Sequence, residues 1–261
     1  MVPAQVAVAC GGATTTEDAD RATLKLDNHE FLDDFVRFSP IPTVLVALAP
    51  GAVVLPEADA ATAVVALFLG GEATGEALAD VLSGAEPGGR LPVTLPLSEN
   101  DVIEPCDDVY CPYDEQLLTG YRGGAPARFV FGHGLSYASF ELVLANSTVD
   151  DAAATLEIVA RHVAGPAGTV VVQLYAIKDG TDERGRNGRN APLMQLKAFE
   201  KRELAPGAEA RISFRLTFAG DLRTCSCRAD LPLMNRGGAA AATSWIPFFD
   251  ESRRPAVSVS G

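Results

Sequence analysis

A chain of 261 residues with 48% hydrophobic content is long enough to build one large or two modest cores. It carries 34 acidic against 21 basic side chains, for a formal charge of −13, and its one dense basic run, Arg184–Arg189, sits in a glycine-rich stretch. That balance speaks against nucleic acid, whose phosphates need an extended basic face. Met1–Gly12 has neither a basic segment nor a long apolar core, so it does not read as a signal peptide. Val6–Cys10 reads as a short strand, and Gly11-Gly12 opens a polar loop ending at Arg21. The spacing over Asn28–Phe38 predicts a helix, with Phe31, Leu32, Phe35 and Phe38 on one face and Asp33, Asp34 and Arg37 on the other.

Thr43–Leu48 and Val64–Leu69 read as buried strands. Pro50, Pro56, Glu57 and Asp59 interrupt the apolar run between them, which rules out a membrane helix there, and no membrane partner is expected. Ala73, Ala77, Leu78, Val81 and Leu82 then recur at helical spacing, mostly opposite Glu72, Glu76 and Asp80. Gly84 stops this helix, and Pro87-Gly88-Gly89 turns the chain into a strand over Leu91–Pro96. Alternating strands and helices imply a mostly parallel sheet over residues 1–96. Residues 97–138 lose periodicity and read as an irregular crossing segment. Residues 139–261 are β only, an antiparallel sandwich with strands at Phe140–Leu144, Thr155–His162, Thr169–Ile177, Gln195–Leu204, Ala210–Thr217 and Ala256–Ser260. Lys178–Ala191 reads as a mobile charged loop.

Five cysteines include the pairs Cys106/Cys111 and Cys225/Cys227. Neither spacing is a usual zinc knuckle and no histidine is near, so no metal is expected. Unpaired thiols are the leading reading, and a local Cys106–Cys111 disulfide the next. No dinucleotide or phosphate-loop pattern follows Gly11-Gly12, and no cofactor is expected. Ser136 lies in no nucleophile elbow. Among the carboxylates, Glu72 and Glu76 suit a helix N-terminus, and Asp107, Asp108, Asp114 and Glu115 suit a solvated loop. Glu17 stands out. It follows a strand of an open α/β sheet, at the end where ligands collect, and a carboxyl there can serve as a general acid.

The stretch Gly70–Pro96, GGEATGEALADVLSGAEPGGRLPVTLP, resembles the signature of the α/β sandwich domain of glycoside hydrolase family 3, the β-glucosidases and β-xylosidases. Two further stretches, Thr16–Arg21 and Phe131–Phe140, match in the same order. Gly120-Tyr121-Arg122 fits the pattern before the second of these, and packing is the expected role there and at His133. The β-only part resembles the fibronectin type III-like domain that ends many family members, through Thr169–Tyr175, Leu196–Lys201 and Leu204–Gly207. Arg223–Pro255 departs from that pattern.

This resemblance implies retaining hydrolysis of a terminal β-linked glucose or xylose from a glycoside or oligosaccharide. It places Glu17 as the general acid/base, with Asp20 and Arg21 as an ion pair holding its loop. Asp18 stands where glycine is common. The resemblance also implies an aspartate nucleophile and most sugar contacts on an N-terminal TIM barrel, a partner of roughly 250 residues that these residues do not contain. A retaining mechanism needs both carboxylates, so the isolated chain is expected to be inactive. The alternatives are a non-catalytic carbohydrate- or protein-interaction module, or a truncated inactive product. Family members suggest a secreted or vacuolar setting.

Overall fold

The computed structural model describes residues 4–106, 108–178, 192–217, 227–228 and 257–260. They fall into two compact units. The first comprises the described parts of Met1–Ser83, Leu91–Cys111 and Ala125–His133; the second, those of Gly84–Arg90, Pro112–Gly124 and Gly134–Gly261. The segment 97–138 thus contributes to both.

The first unit is built on three parallel strands, β1 (Ala7–Gly12), β2 (Thr43–Leu48) and β3 (Ala63–Leu67), with β2 in the middle. The register puts Ala9 beside Leu45 and Leu45 beside Val64. Helix α1 (His29–Phe38) follows β1, and a 3-10 helix (Pro56–Asp59) follows β2. The core holds Leu26, Leu32, Val36, Leu45, Ala47, Val53, Leu55 and Leu95.

The face that α1 buries differs from the one its aromatic residues suggest. Leu32 and Val36 are buried, whereas Phe31 is 63% and Phe38 76% exposed, and Phe35 is exposed too. The reason is the width of the seat. Leu32 and Val36 stand four apart, one above the other, and Leu32 lies over β1 at Gly11, where a Cβ would lie 2.3 Å from Leu32 Cδ1 and 2.9 Å from Asn28 Oδ1. Such close approach suits branched aliphatic side chains, and the Phe rings fall outside it; Phe31 and Phe35 pack on each other with centroids 5.8 Å apart.

Helix α2 (Thr74–Leu82) buries none of its residues. The strand expected at Leu91–Pro96 shortens to β4 (Leu95–Pro96), which pairs antiparallel with β5 (Ala127–Phe129) instead of joining the parallel sheet. Pro92 and Pro96 have no N–H for a ladder. Leu91 instead donates to the His133 carbonyl at 2.8 Å and accepts from Gly132 N at 2.8 Å. Phe129 and the His133 ring stack 5.4 Å apart, so His133 serves packing.

The second unit is a sandwich. One sheet runs β10 (Glu209–Thr217), β7 (Ala153–Ala164), β6 (Ser139–Val149), all antiparallel. The other centres on β8 (Gly168–Lys178), with β9 (Met194–Leu204), β11 (Cys227–Arg228) and β12 (Val257–Ser260) beside it. Alternate residues of both sheets, Leu156, Ile158 and Ala160 from one and Val170, Val172 and Leu174 from the other, fill the space between. Tyr121 joins this unit by edge-to-face contact with Tyr175, at 6.4 Å, and its hydroxyl accepts from Leu196 N at 3.1 Å.

Cys106 and Cys111 form a disulfide with Cα atoms 5.9 Å apart, replacing the reading of unpaired thiols at those positions, while Cys10 is free and exposed. The loop expected beyond Lys178, residues 179–191, lies outside the described residues, as does Arg223–Pro255 apart from β11. Among the described residues no helix is long and apolar enough to cross a membrane.

Two substitutions test this packing. Gly11→Ala should force α1 off β1 and lower stability by about 1–3 kcal/mol. Ile158→Ala, at a site with 0% exposure, should cost about 2–5 kcal/mol. Chemical denaturation of the chain checks both.

Candidate active-site loop

The loop from Ala13 to Asn28 leaves the carboxyl end of β1 and leads into α1. Its two ends are closed against the sheet: Ala13 N donates to the Leu48 carbonyl at 3.0 Å, and Asp27 N to the Gly12 carbonyl at 2.8 Å. Asp27 also accepts from Thr14 N at 2.8 Å. These bonds bring the entry and exit of the loop together, so that the stretch between them stands out as a compact projection.

Arg21 organises the interior of that projection. Its Nε donates to the Thr23 carbonyl at 3.2 Å, and its Nη atoms donate to the carbonyls of Thr14 and Lys25, each at 2.5 Å. The same guanidinium pairs with Asp27 at 3.1 Å. A planar fork with five donors serves these three carbonyls and one carboxylate together, one partner more than the three donors of an ammonium could. The ion pair in this loop is therefore Arg21–Asp27. Asp20, expected to be the partner, is exposed, because the guanidinium is turned inward to the carbonyls and the Asp20 side chain lies on the outer rim.

A second clamp comes from far along the chain. Glu99 accepts from Thr23 Oγ1 at 2.5 Å and from Leu24 N at 2.7 Å. Glu99 opens a short 3-10 helix whose start is fixed by Ser98, which donates through N and Oγ to Asp101 at 3.0 and 2.6 Å. Hydrogen bonds from Thr23 and Leu24 hold the Glu99 carboxyl below the usual carboxylate range, and those from Thr14, with help from Arg21, do the same for Asp27.

Glu17 lies on the outer part of the loop. It is exposed, as are Thr16, Asp18 and Asp20 around it, and the local turn is marked by Asp18 N donating to Thr16 Oγ1 at 3.3 Å. Its carboxylate has no hydrogen bond or ion pair among the described residues. A carboxylate so placed is available to a molecule outside the loop, while the backbone beneath it is pinned by Arg21, Asp27 and Glu99. Glu72 is exposed in the turn before α2, and Glu76 is exposed in its first turn. Asp108 and Asp114 are exposed, and Asp107 lies outside the described residues. None of them is brought to the Glu17 loop by the contacts above.

Neither Asp27 nor Glu99 stands out in the sequence as part of this loop's support. Asp27 carried a faint signal, a polar pair with Asn28 just ahead of a helix. Glu99 carried only the Ser98–Asp101 capping pattern, and nothing in it points to Leu24.

The model of the glycosyl hydrolase family 3 C-terminal domain matches residues 2–137, and that of the fibronectin type III-like domain matches residues 170–228. The chain belongs to glycosyl hydrolase family 3. Thermostable β-glucosidase B of Acetivibrio thermocellus is 35% identical over 215 residues, covering 77% of this chain and 28% of that protein. A β-glucosidase of Rhizobium radiobacter is 32% identical over 216 residues, covering 76% and 25%. The crystal structure of the Kluyveromyces marxianus β-glucosidase in complex with glucose superposes with a TM-score of 0.73 at 29% identity, over 82% of this chain and 27% of that one. The chain thus spans about a quarter of the length of the relatives it matches. It is the C-terminal portion of the family 3 pattern: an α/β domain with a parallel sheet, then a fibronectin type III-like sandwich.

The depressed carboxyls give the loop an acid limit. Because their folded values lie below the ordinary ones, Asp27 and Glu99 hold the loop fully above the usual carboxylate range, near pH 4, and release it as pH falls through their lowered values. Amide exchange at Leu24, corrected for its intrinsic rate, should therefore rise in acid. Glu99→Gln should raise it at neutral pH and flatten that acid response.

Proposed function

We propose that this chain supplies the general acid/base of a retaining β-glycosidase acting on terminal β-linked glucose or xylose, and that the acid/base is Glu17. The observation that carries the reading is the loop itself. An exposed carboxylate with no internal partner projects from a strand end, on a backbone fixed by Arg21 and Glu99, within the part of the chain that matches the family 3 model. Free carboxylates on rigid supports are what proton transfer to a bound ligand needs.

In the glycosylation step Glu17, as the acid, would protonate the departing glycosidic oxygen while a second carboxylate attacks the anomeric carbon. In the second step Glu17, now the base, would take a proton from water as that water displaces the enzyme carboxylate. No carboxylate of this chain is proposed for the nucleophile. That group, with most of the sugar contacts, belongs on a partner domain, in keeping with the share of its relatives that this chain spans. The Cys106–Cys111 disulfide fits a secreted or vacuolar setting, where such bonds persist.

Two experiments test the proposal. The purified chain alone should not hydrolyse an aryl β-glucoside, and adding the N-terminal portion of a family 3 relative, in trans or as a fusion, should create activity. In that assembled enzyme Glu17→Gln should lower kcat/KM for an alkyl β-glucoside by about 10²–10⁴-fold. The loss in the glycosylation step should be far smaller for a dinitrophenyl glucoside, whose leaving group needs no proton. Equal losses on both substrates would remove Glu17 from the acid role. Sugar binding without turnover in the assembled protein would favour the non-catalytic module.

A further inference from the structure

The 3-10 helix Pro56–Asp59 contains the only Asp or Glu among the described residues that is fully buried. Glu57 is 0% exposed, and neither of its side-chain oxygens has a hydrogen-bond partner. Its surroundings explain this. Val53, Val54 and Leu55, just before it, are buried, and the helix packs on α1. The charged groups that face Glu57 are His29 and Asp33 of α1 and Lys25 of the loop before it. On its own helix, Asp59 is taken up by an ion pair with Arg128 of β5. An ionised carboxylate in this place would be a buried charge without a bonded partner, which is far costlier than the neutral acid.

The same junction holds the base of the Glu17 loop. Val54 N donates to the Leu24 carbonyl at 2.9 Å, and the Leu26 carbonyl accepts from His29 N at 3.1 Å, with His29 Nδ1 also 3.1 Å away. Leu26 and Leu32 are both fully buried beside it. We propose that Glu57 is a proton-operated catch: held as the neutral acid, it lets the Pro56–Asp59 helix close on α1 and on the Leu24–Leu26 turn, and loss of its proton loosens that junction. The proton acts as a ligand of the closed form. This holds whether or not Glu17 is catalytic.

Burial pushes the Glu57 carboxyl above the usual glutamate range, with Asp33 adding to it, and the opposing influences of its own backbone N–H, of His29 and of Lys25 do not cancel that. Because the folded value is the raised one, the stabilisation is complete below the ordinary glutamate value of 4.5 and is lost as pH rises through the raised value. The junction is therefore tightest in mild acid.

Amide exchange of the whole chain tests this. Protection of Val54 N–H, corrected for intrinsic exchange, should fall as pH rises from about 5 to 8, by at most about tenfold per unit, the limit for one proton. Glu57→Gln and Glu57→Met, which cannot lose a proton there, should keep Val54 protected across the range, while Val172 in the sandwich behaves alike in all three proteins. A Val54 protection that is flat in the wild type, or equally pH-dependent in either variant, would overturn the proposal. Should neither variant fold, the infrared spectrum of the wild type decides. A protonated-carboxyl band persisting above the ordinary glutamate range and vanishing at higher pH supports the catch, and its absence there overturns it.

Discussion

The bonds from the Arg21 guanidinium to the Thr14, Thr23 and Lys25 carbonyls, with its ion pair to Asp27, are the contacts on which the Glu17 loop depends. A sixteen-residue excursion between β1 and α1 has many conformations to lose and little apolar surface to bury, so it needs directional bonds to hold one shape. Arg21 supplies them from within, and Glu99 supplies two more from the opposite end of the unit's sequence. Three carbonyls and one carboxylate surround this single cation and leave the Arg21 side chain only 18% exposed. The exposed carboxylate of Glu17 gains its fixed position from this arrangement without sharing in it.

Support for the loop reaches back to the sheet. Because residue 11 has no side chain, α1 lies close on β1 and carries Leu32 into the core, and the loop must close within the space left. The 3-10 helix with Glu57 forms the other wall. Here the fold places a group that would rather be hydrated in a dry position, a local conflict between sequence and environment of the kind often kept for a purpose. Among the described residues of the sandwich unit the core is filled by apolar residues of two sheets, and the buried His162 and Gln173 beside it are hydrogen-bonded.

Much of the architecture was legible in the sequence because period-2 alternation marks strands buried on one face. Ile212, Phe214 and Leu216 show it strictly, and Leu156, Ile158 and Ala160 follow it with Val159 buried between them. β2 was legible to the residue. The two-part family pattern was legible from its motifs. Periodicity failed where two stripes overlap on one helix: in α1 the aromatic stripe is the larger, yet the aliphatic one is buried, since the outcome depends on the clearance at Gly11. It failed also at Leu91–Pro96, where apolar alternation suggested a strand but two prolines limit the ladder to Leu95–Pro96. In the loop, Glu17 and Arg21 could be singled out, but the partners of Arg21 could not. A guanidinium flanked by Asp18, Asp20 and Asp27 has several possible carboxylates, and only the folded loop selects Asp27. Glu99 and Glu57 were hidden for opposite reasons: one acts across 75 residues of sequence on Leu24, and the other looked like any polar break in an apolar run.

The assignment of Glu17 as a proton donor has a direct kinetic signature. The alkaline limb of kcat/KM against pH reports the group that must be protonated in the free enzyme. The measurement is that profile for the enzyme assembled with its N-terminal portion, with Glu17 and with glutamine in its place, on a substrate that needs acid assistance. The account requires the alkaline limb to disappear in the glutamine variant along with most of the rate. An unchanged limb and an unchanged rate would contradict it, and would place the acid elsewhere in the enzyme.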